Sequence, residues 1–84
     1  MSAPVVMYST QWCPHCARAR NLLCAKNVAY TEIDIDSGEQ REEMIKRSGR
    51  RTVPQIFIGA THVGGSDELH ALEARGELDP LLRS

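Results

Sequence analysis

The chain lacks the features that would tie it to a polyanion, a membrane or a disulfide framework. Ten Lys and Arg stand against eleven Asp and Glu, a formal charge of −1. No bulk charge therefore points to nucleic acid or an anionic lipid surface. No apolar run approaches the roughly 20 residues of a membrane span. Met1 to Pro4 has no charged region leading into an apolar stretch of secretory-signal length. Three cysteines are an odd number and too few for a disulfide scaffold. Repeats, linkers and low-complexity tracts are also missing. These absences predict a cytoplasmic protein. The 84 residues predict one domain, 1–84, around one core.

What is present centres on Cys13-Pro14-His15-Cys16. It follows a short apolar run, Val5 to Tyr8, and precedes good helix formers, Ala17 to Lys26. That order places Cys13 at the first turn of a helix, with Pro14 where proline is tolerated. Unpaired N–H groups and the positive end of the helix dipole favour a thiolate there. The i,i+3 spacing brings the two Cα atoms within the roughly 4.4–6.8 Å that a disulfide needs. The pair reads as a dithiol that attacks a sulfur and is then resolved internally.

The rest of the chain supplies a frame for that pair. Val5 to Tyr8 reads as a buried strand and Pro14 to Lys26 as a helix. Ala29 to Ile35 alternates as a half-buried strand. Glu39 to Arg47 reads as a second helix, stopped at Ser48-Gly49. Val53 to Ile58 is a third strand, turned at Gly59 into a short fourth, His62-Val63. Ser66 to Arg75 is a third helix. Strands joined through a helix run parallel with a right-handed crossover, and the Gly59 turn makes the last two antiparallel. The expectation is an α/β fold in the order βαβ-αββα, a four-stranded mixed sheet flanked by three helices.

The remaining candidate ligands read more plainly. Cys24 lies about 12 and 16 Å along the helix axis from Cys16 and Cys13, at 1.5 Å per residue. Neither gap can be bridged, so Cys24 is expected as a small buried hydrophobe, or otherwise as an accessory thiol. His62 and His70 are expected at the surface. Zinc sites use two close ligand pairs and this chain offers one, so no metal is expected. Lys46, Arg47, Arg50 and Arg51 form a basic cluster of the kind that is usually solvated.

Three motifs in register carry a family resemblance. Cys13-Pro14-His15-Cys16, Thr52-Val53-Pro54 and Gly64-Gly65-Ser66-Asp67 resemble those of glutaredoxins. Arg41 to Arg50 and Asp79-Pro80-Leu81-Leu82 resemble the dithiol class found in bacteria. The resemblance implies a thioredoxin-like fold and a glutathione-dependent thiol–disulfide oxidoreductase, with glutathione as co-substrate. Glutathionylated proteins and disulfide-containing reductases are the implied partners of a monomer. By position Cys13 resembles the nucleophile, Cys16 the resolving thiol and Pro54 the cis-proline facing them. Val53 is implied to pair with glutathione like an added strand, next to Thr52. Gly65, Ser66 and Asp67 are implied to receive its γ-glutamyl end, and Arg41 its glycine carboxylate. Two alternatives stay open: a thioredoxin-like donor that ignores glutathione, and a glutaredoxin that binds an iron–sulfur cluster.

There are departures from the family pattern. Thr10 stands where many members carry lysine. His15 stands where many carry tyrosine, and its imidazole is expected to make the dithiol more oxidising. Trp12, before the nucleophile, is more familiar in thioredoxins.

Overall fold

The structure, a computed structural model, describes residues 3–83. Its first strand, β1 (Val5–Ser9), is apolar and β-branched at its start and is buried on both faces. It lies at the centre of a four-stranded sheet, with β2 (Thr31–Asp34) on one side and β3 (Gln55–Ile58) on the other. β4 (Thr61–Gly64) closes the order β2-β1-β3-β4. β1 pairs parallel with β2, Met7 opposite Glu32. It pairs antiparallel with β3, Met7 opposite Ile56, and β3 pairs antiparallel with β4. The edge strand β2 exposes Glu32 and Asp34, charges that discourage further strand addition.

Period-two alternation sends the residues of β1 and β3 to two cores. Val5, Met7, Ile56 and Ile58 face α1 (Pro14–Ala25) and α3 (Ser66–Ala74), packing with Ala19, Leu23 and Leu69. Tyr8 and Phe57 face α2 (Gly38–Ser48), packing with Ile35 and Met44. Fully burying one such side chain stabilises by roughly 1.5–3 kcal/mol. α2 is also fixed by polar contacts. The Tyr8 hydroxyl donates to Glu43 at 2.7 Å and accepts from Arg47 at 2.8 Å. The Arg47 guanidinium lies 4.2 Å from the centre of the Phe57 ring.

The element order and mixed sheet match the expected fold, with one correction. There are four helices among the described residues, because Leu78–Leu82 forms a short α4. Five residues are too few to show helical periodicity in sequence, and Pro80 looks like a stop signal there. Pro80 instead sits in the first turn, where its missing N–H costs nothing. Leu78 and Leu82, four apart, bury together in the core. Lys26 ties the end of α1 to Glu73 at 2.7 Å and to Asp79 at 3.0 Å. The second and third strands are also shorter than expected. Tyr30 stays outside β2, and Thr52 to Pro54 form a bend before β3.

Candidate active site

The turn after β1 delivers Cys13 to the N-cap of α1 in an extended conformation, φ −114° and ψ 112°. Pro14 takes the first helical position. The Cys13 sulfur accepts the Cys16 N–H at 3.2 Å, and its thiol faces the Val53 carbonyl at 3.9 Å. Cys13 is half-buried, whereas Cys16 is fully buried one turn later. Burial pushes the Cys16 thiol up to about 12, and its hydrogen bond with Cys13 acts in the same direction. The Thr10 backbone and the Arg20 charge act in the opposite sense. One thiol is therefore presented and the other withheld.

A cleft of about 190 Å³ opens beside this turn. One wall is the bend Thr52-Val53-Pro54, whose Val53–Pro54 peptide is cis. The other is the start of α3, with Gly65, Ser66, Asp67 and Glu68, and His15 and Arg50 complete the rim. A side chain at either glycine would crowd the place where the walls meet. A Cβ on Gly65 would lie 3.4 Å from the Pro54 carbonyl, and one on Gly64, at φ +113°, would run into the Glu68 carboxylate. The Glu68 carboxylate accepts the Gly65 N–H at 2.9 Å and pairs with Arg50 at 2.9 Å. The Gly65 N–H, then Arg50, hold Glu68 below the usual carboxylate range. The Ser66 hydroxyl, at the cleft wall, is buried without a hydrogen-bond partner.

The structure thus brings together Cys13, Cys16, Pro14, His15, Thr52, Val53, Pro54, Gly65, Ser66 and Asp67. It does not bring in Arg41, which is exposed on α2 and does not line the cleft. Arg50 and Glu68 line it instead. In sequence Arg50 belongs to the basic cluster and to the Arg41–Arg50 stretch, and its position just before Thr52-Val53-Pro54 is the signal that could have placed it at the cleft. Asp67 is exposed and faces Arg18 at 3.6 Å. Trp12 is 91% exposed beside the nucleophile.

Three expectations are corrected. Cys24 is exposed, because the stripe of α1 that carries it meets the β2 side of the helix and not the core. His62 is partly buried: its ring stacks on Phe57 at 4.8 Å and its Nε2–H donates to the Gln55 side-chain Oε1 at 2.7 Å. His70 is likewise partly buried, with Nε2 shielded and unpartnered.

Gln55 carries no marker of its role in the sequence. It is fully buried, and its amide nitrogen donates to the Thr52 carbonyl at 3.0 Å and the Thr52 hydroxyl at 3.2 Å. It thereby braces the bend that forms one wall. Among the described residues, no group of three or more His, Cys, Asp or Glu is arranged to hold a metal ion.

A family profile described as Glutaredoxin matches residues 5–63. The chain belongs to the glutaredoxin family, whose members are thiol–disulfide oxidoreductases. Within it, the chain is 58% identical over 82 residues to Glutaredoxin 3 of Escherichia coli strain K12, covering 96% of this chain and 99% of that relative. The solution structure of a glutaredoxin from Brucella melitensis superposes with a TM-score of 0.86 at 52% identity, covering 98% of this chain and 90% of that one. The crystal structure of a buckwheat glutaredoxin–glutathione complex superposes at 0.87 with 31% identity, covering 95% and 76%.

Proposed function

We propose that this chain reduces glutathione mixed disulfides and protein disulfides, using glutathione as the electron donor. The observation that carries the reading is the half-buried Cys13 sulfur at a helix N-cap, opening onto a cleft whose far wall is a helix start with an unpartnered Ser66 hydroxyl. The buckwheat relative's complex with glutathione supports it.

The chemistry follows from that geometry. With a glutathionylated substrate, the Cys13 thiolate attacks the glutathione sulfur and the substrate thiolate leaves. A second glutathione thiolate attacks the sulfur bound to Cys13, forming glutathione disulfide and regenerating Cys13. With a protein disulfide, Cys13 attacks one sulfur and Cys16 displaces the partner, closing the Cys13–Cys16 disulfide. Two glutathione thiols then reduce it.

Val53, beside the cis-proline, offers its N–H and C=O to the cysteine backbone of glutathione as an added strand. Gly65 allows the close approach. Ser66 and Asp67, in the first turn of α3, offer N–H groups to the γ-glutamyl carboxylate, and the Asp67 side chain takes its ammonium. Thr52 flanks the peptide. Arg41 is the candidate for the glycine carboxylate from the exposed face of α2, with Arg50 the competing cation already at the cleft. A cytoplasmic, monomeric enzyme completes the proposal.

Mixing the Cys16→Ser protein, in a Cys24→Ser background, with glutathione disulfide tests the binding site. The expected product carries one glutathione on Cys13, with amide shifts in the NMR spectrum at Val53, Gly65 and Asp67. An adduct that leaves those three amides unmoved would overturn the site.

A further inference from the structure

A second cleft, of about 440 Å³, lies on the other side of the Cys13 turn. Ser9, Thr10, Gln11, Arg20, Glu32 and Asp34 line it. Arg20 is held there by Glu32. Its Nε donates to Glu32 at 3.0 Å and a terminal nitrogen at 2.5 Å, a two-pronged pairing that fixes the guanidinium plane. Glu32 is itself fixed by the buried Ser9 hydroxyl, which donates at 2.6 Å.

Two members of this lining relate directly to Cys16. Arg20 follows Cys16 by four residues, and i,i+4 side chains share one helix face about 5–6 Å apart at Cβ. Helical side chains lean toward the N-terminus, which carries the Arg20 stem toward the Cys16 turn. From the other side, Thr10, adjacent to Ser9, hydrogen-bonds Cys16 through its backbone. The groups bearing on the sulfur are thus Cys13 from the N-cap, the Thr10 backbone, and Arg20. Glu32 and Asp34 come from β2 through the cleft, while Asp67 of α3 faces Arg18 instead.

We propose that Arg20, pinned by Glu32 and Ser9, is a positioning residue that stabilises the Cys16 thiolate and so sets the rate of the resolving step. The inference rests on the proposed dithiol chemistry. In that step the buried Cys16 thiol first gives up its proton. The Cys16 thiolate then attacks the Cys13 sulfur of a mixed disulfide. The Cys16–Cys13 bond forms, the bond from Cys13 to the partner sulfur breaks, and the electron pair leaves on the partner thiolate. The substrate disulfide is the oxidant and the dithiol the reductant, so no further reagent enters. The monothiol route uses only Cys13 and does not depend on Arg20. Arg20 thereby becomes a determinant of which disulfides the protein handles quickly.

Stopped-flow reaction with the aromatic disulfide DTNB tests this without glutathione, in a Cys24→Ser background. Cys13 attacks first and releases one coloured thiolate in a second-order phase. Cys16 then releases the other in a first-order phase. A tenfold loss of Cys16 thiolate is offset roughly threefold by the higher nucleophilicity of a more basic thiolate. Arg20→Gln is expected to slow the second phase by about threefold from pH 6 to 9 and to leave the first phase unchanged. Arg20→Lys, which keeps the charge, is expected to restore most of the rate, and Arg20→Met replaces Arg20→Gln if that variant does not fold. An unchanged second phase, or equal slowing of both phases, would overturn the proposal. A wild-type protein inactive with glutathione yet biphasic here would count against the proposed function and leave the Arg20 assignment standing.

Discussion

The Cys16 N–H donates to the Cys13 sulfur at 3.2 Å, so the two cysteines are coupled before any disulfide forms. The same turn that buries Cys16 presents Cys13 and supplies it with a backbone donor. Replacing only the residues between the cysteines therefore changes the chemistry while leaving the helix start intact.

His15 is the first such residue. It is exposed on the cleft rim. In its protonated form the imidazole stabilises a neighbouring thiolate, which exists only in the reduced protein, and so favours reduction. His15→Tyr is expected to make the reduction potential more negative by about 30 mV, near 1.4 kcal/mol for a two-electron couple. Equilibration with a glutathione redox buffer measures it. An unchanged or less negative potential would refute the role.

Gln55 braces the Thr52 bend and receives His62 on its other side. Gln55→Ala strands the His62 Nε2–H and removes both bonds to Thr52. A stability loss of about 1–3 kcal/mol is expected from the orphaned groups. Because Val53 would lose its fixed placement, KM for a glutathionylated peptide should rise more than kcat falls. Urea unfolding and steady-state kinetics read the two effects, and a fall in kcat at constant KM would contradict this role.

The pH dependence of stability has two limbs with opposite signs. Glu32 and Glu68 are held below the ordinary carboxylate value of 4.5, Glu32 first by Arg20 and Glu68 first by the Gly65 N–H. Their contribution is present above that value and is lost as pH falls through the depressed folded values. Glu68→Gln should flatten part of the acid limb in urea midpoints. Cys16 is the reverse case, raised from 9.0 to about 12 mainly by burial. Its contribution is complete below pH 9 and is lost as pH rises toward 12. The reduced protein should therefore lose stability across that window more steeply than Cys16→Ser.

Much of this frame is legible in the residues, and the misses share a cause. Strands β1 and β3 and helices α1 to α3 announce themselves by apolar runs, turn residues and Gly49. The contact partners of single side chains do not. Nothing in the spacing of Cys24 shows that its stripe of α1 faces the β2 side and solvent. Nothing local marks Gln55 as a brace, because its partners Thr52 and His62 meet it only through the bend and the β3–β4 pairing. The cleft motifs were readable because each is short and contiguous, whereas Arg20, Glu32 and Ser9 converge from three elements.

Cys24, exposed on α1, should react with iodoacetamide when Cys13 and Cys16 are joined as a disulfide. Mass spectrometry of the oxidised protein is expected to show one alkylation per chain, at Cys24. No alkylation would mean that this face is covered.

The most direct measurement is glutathione-coupled reduction of a glutathionylated substrate by wild type, Cys13→Ser and Cys16→Ser. The account predicts activity lost by at least a thousandfold in Cys13→Ser, on the order of other nucleophile deletions. It predicts activity retained in Cys16→Ser, with reduction of protein disulfides impaired. A wild-type protein inactive with glutathione, yet reduced rapidly by a flavoprotein thioredoxin reductase, would contradict it.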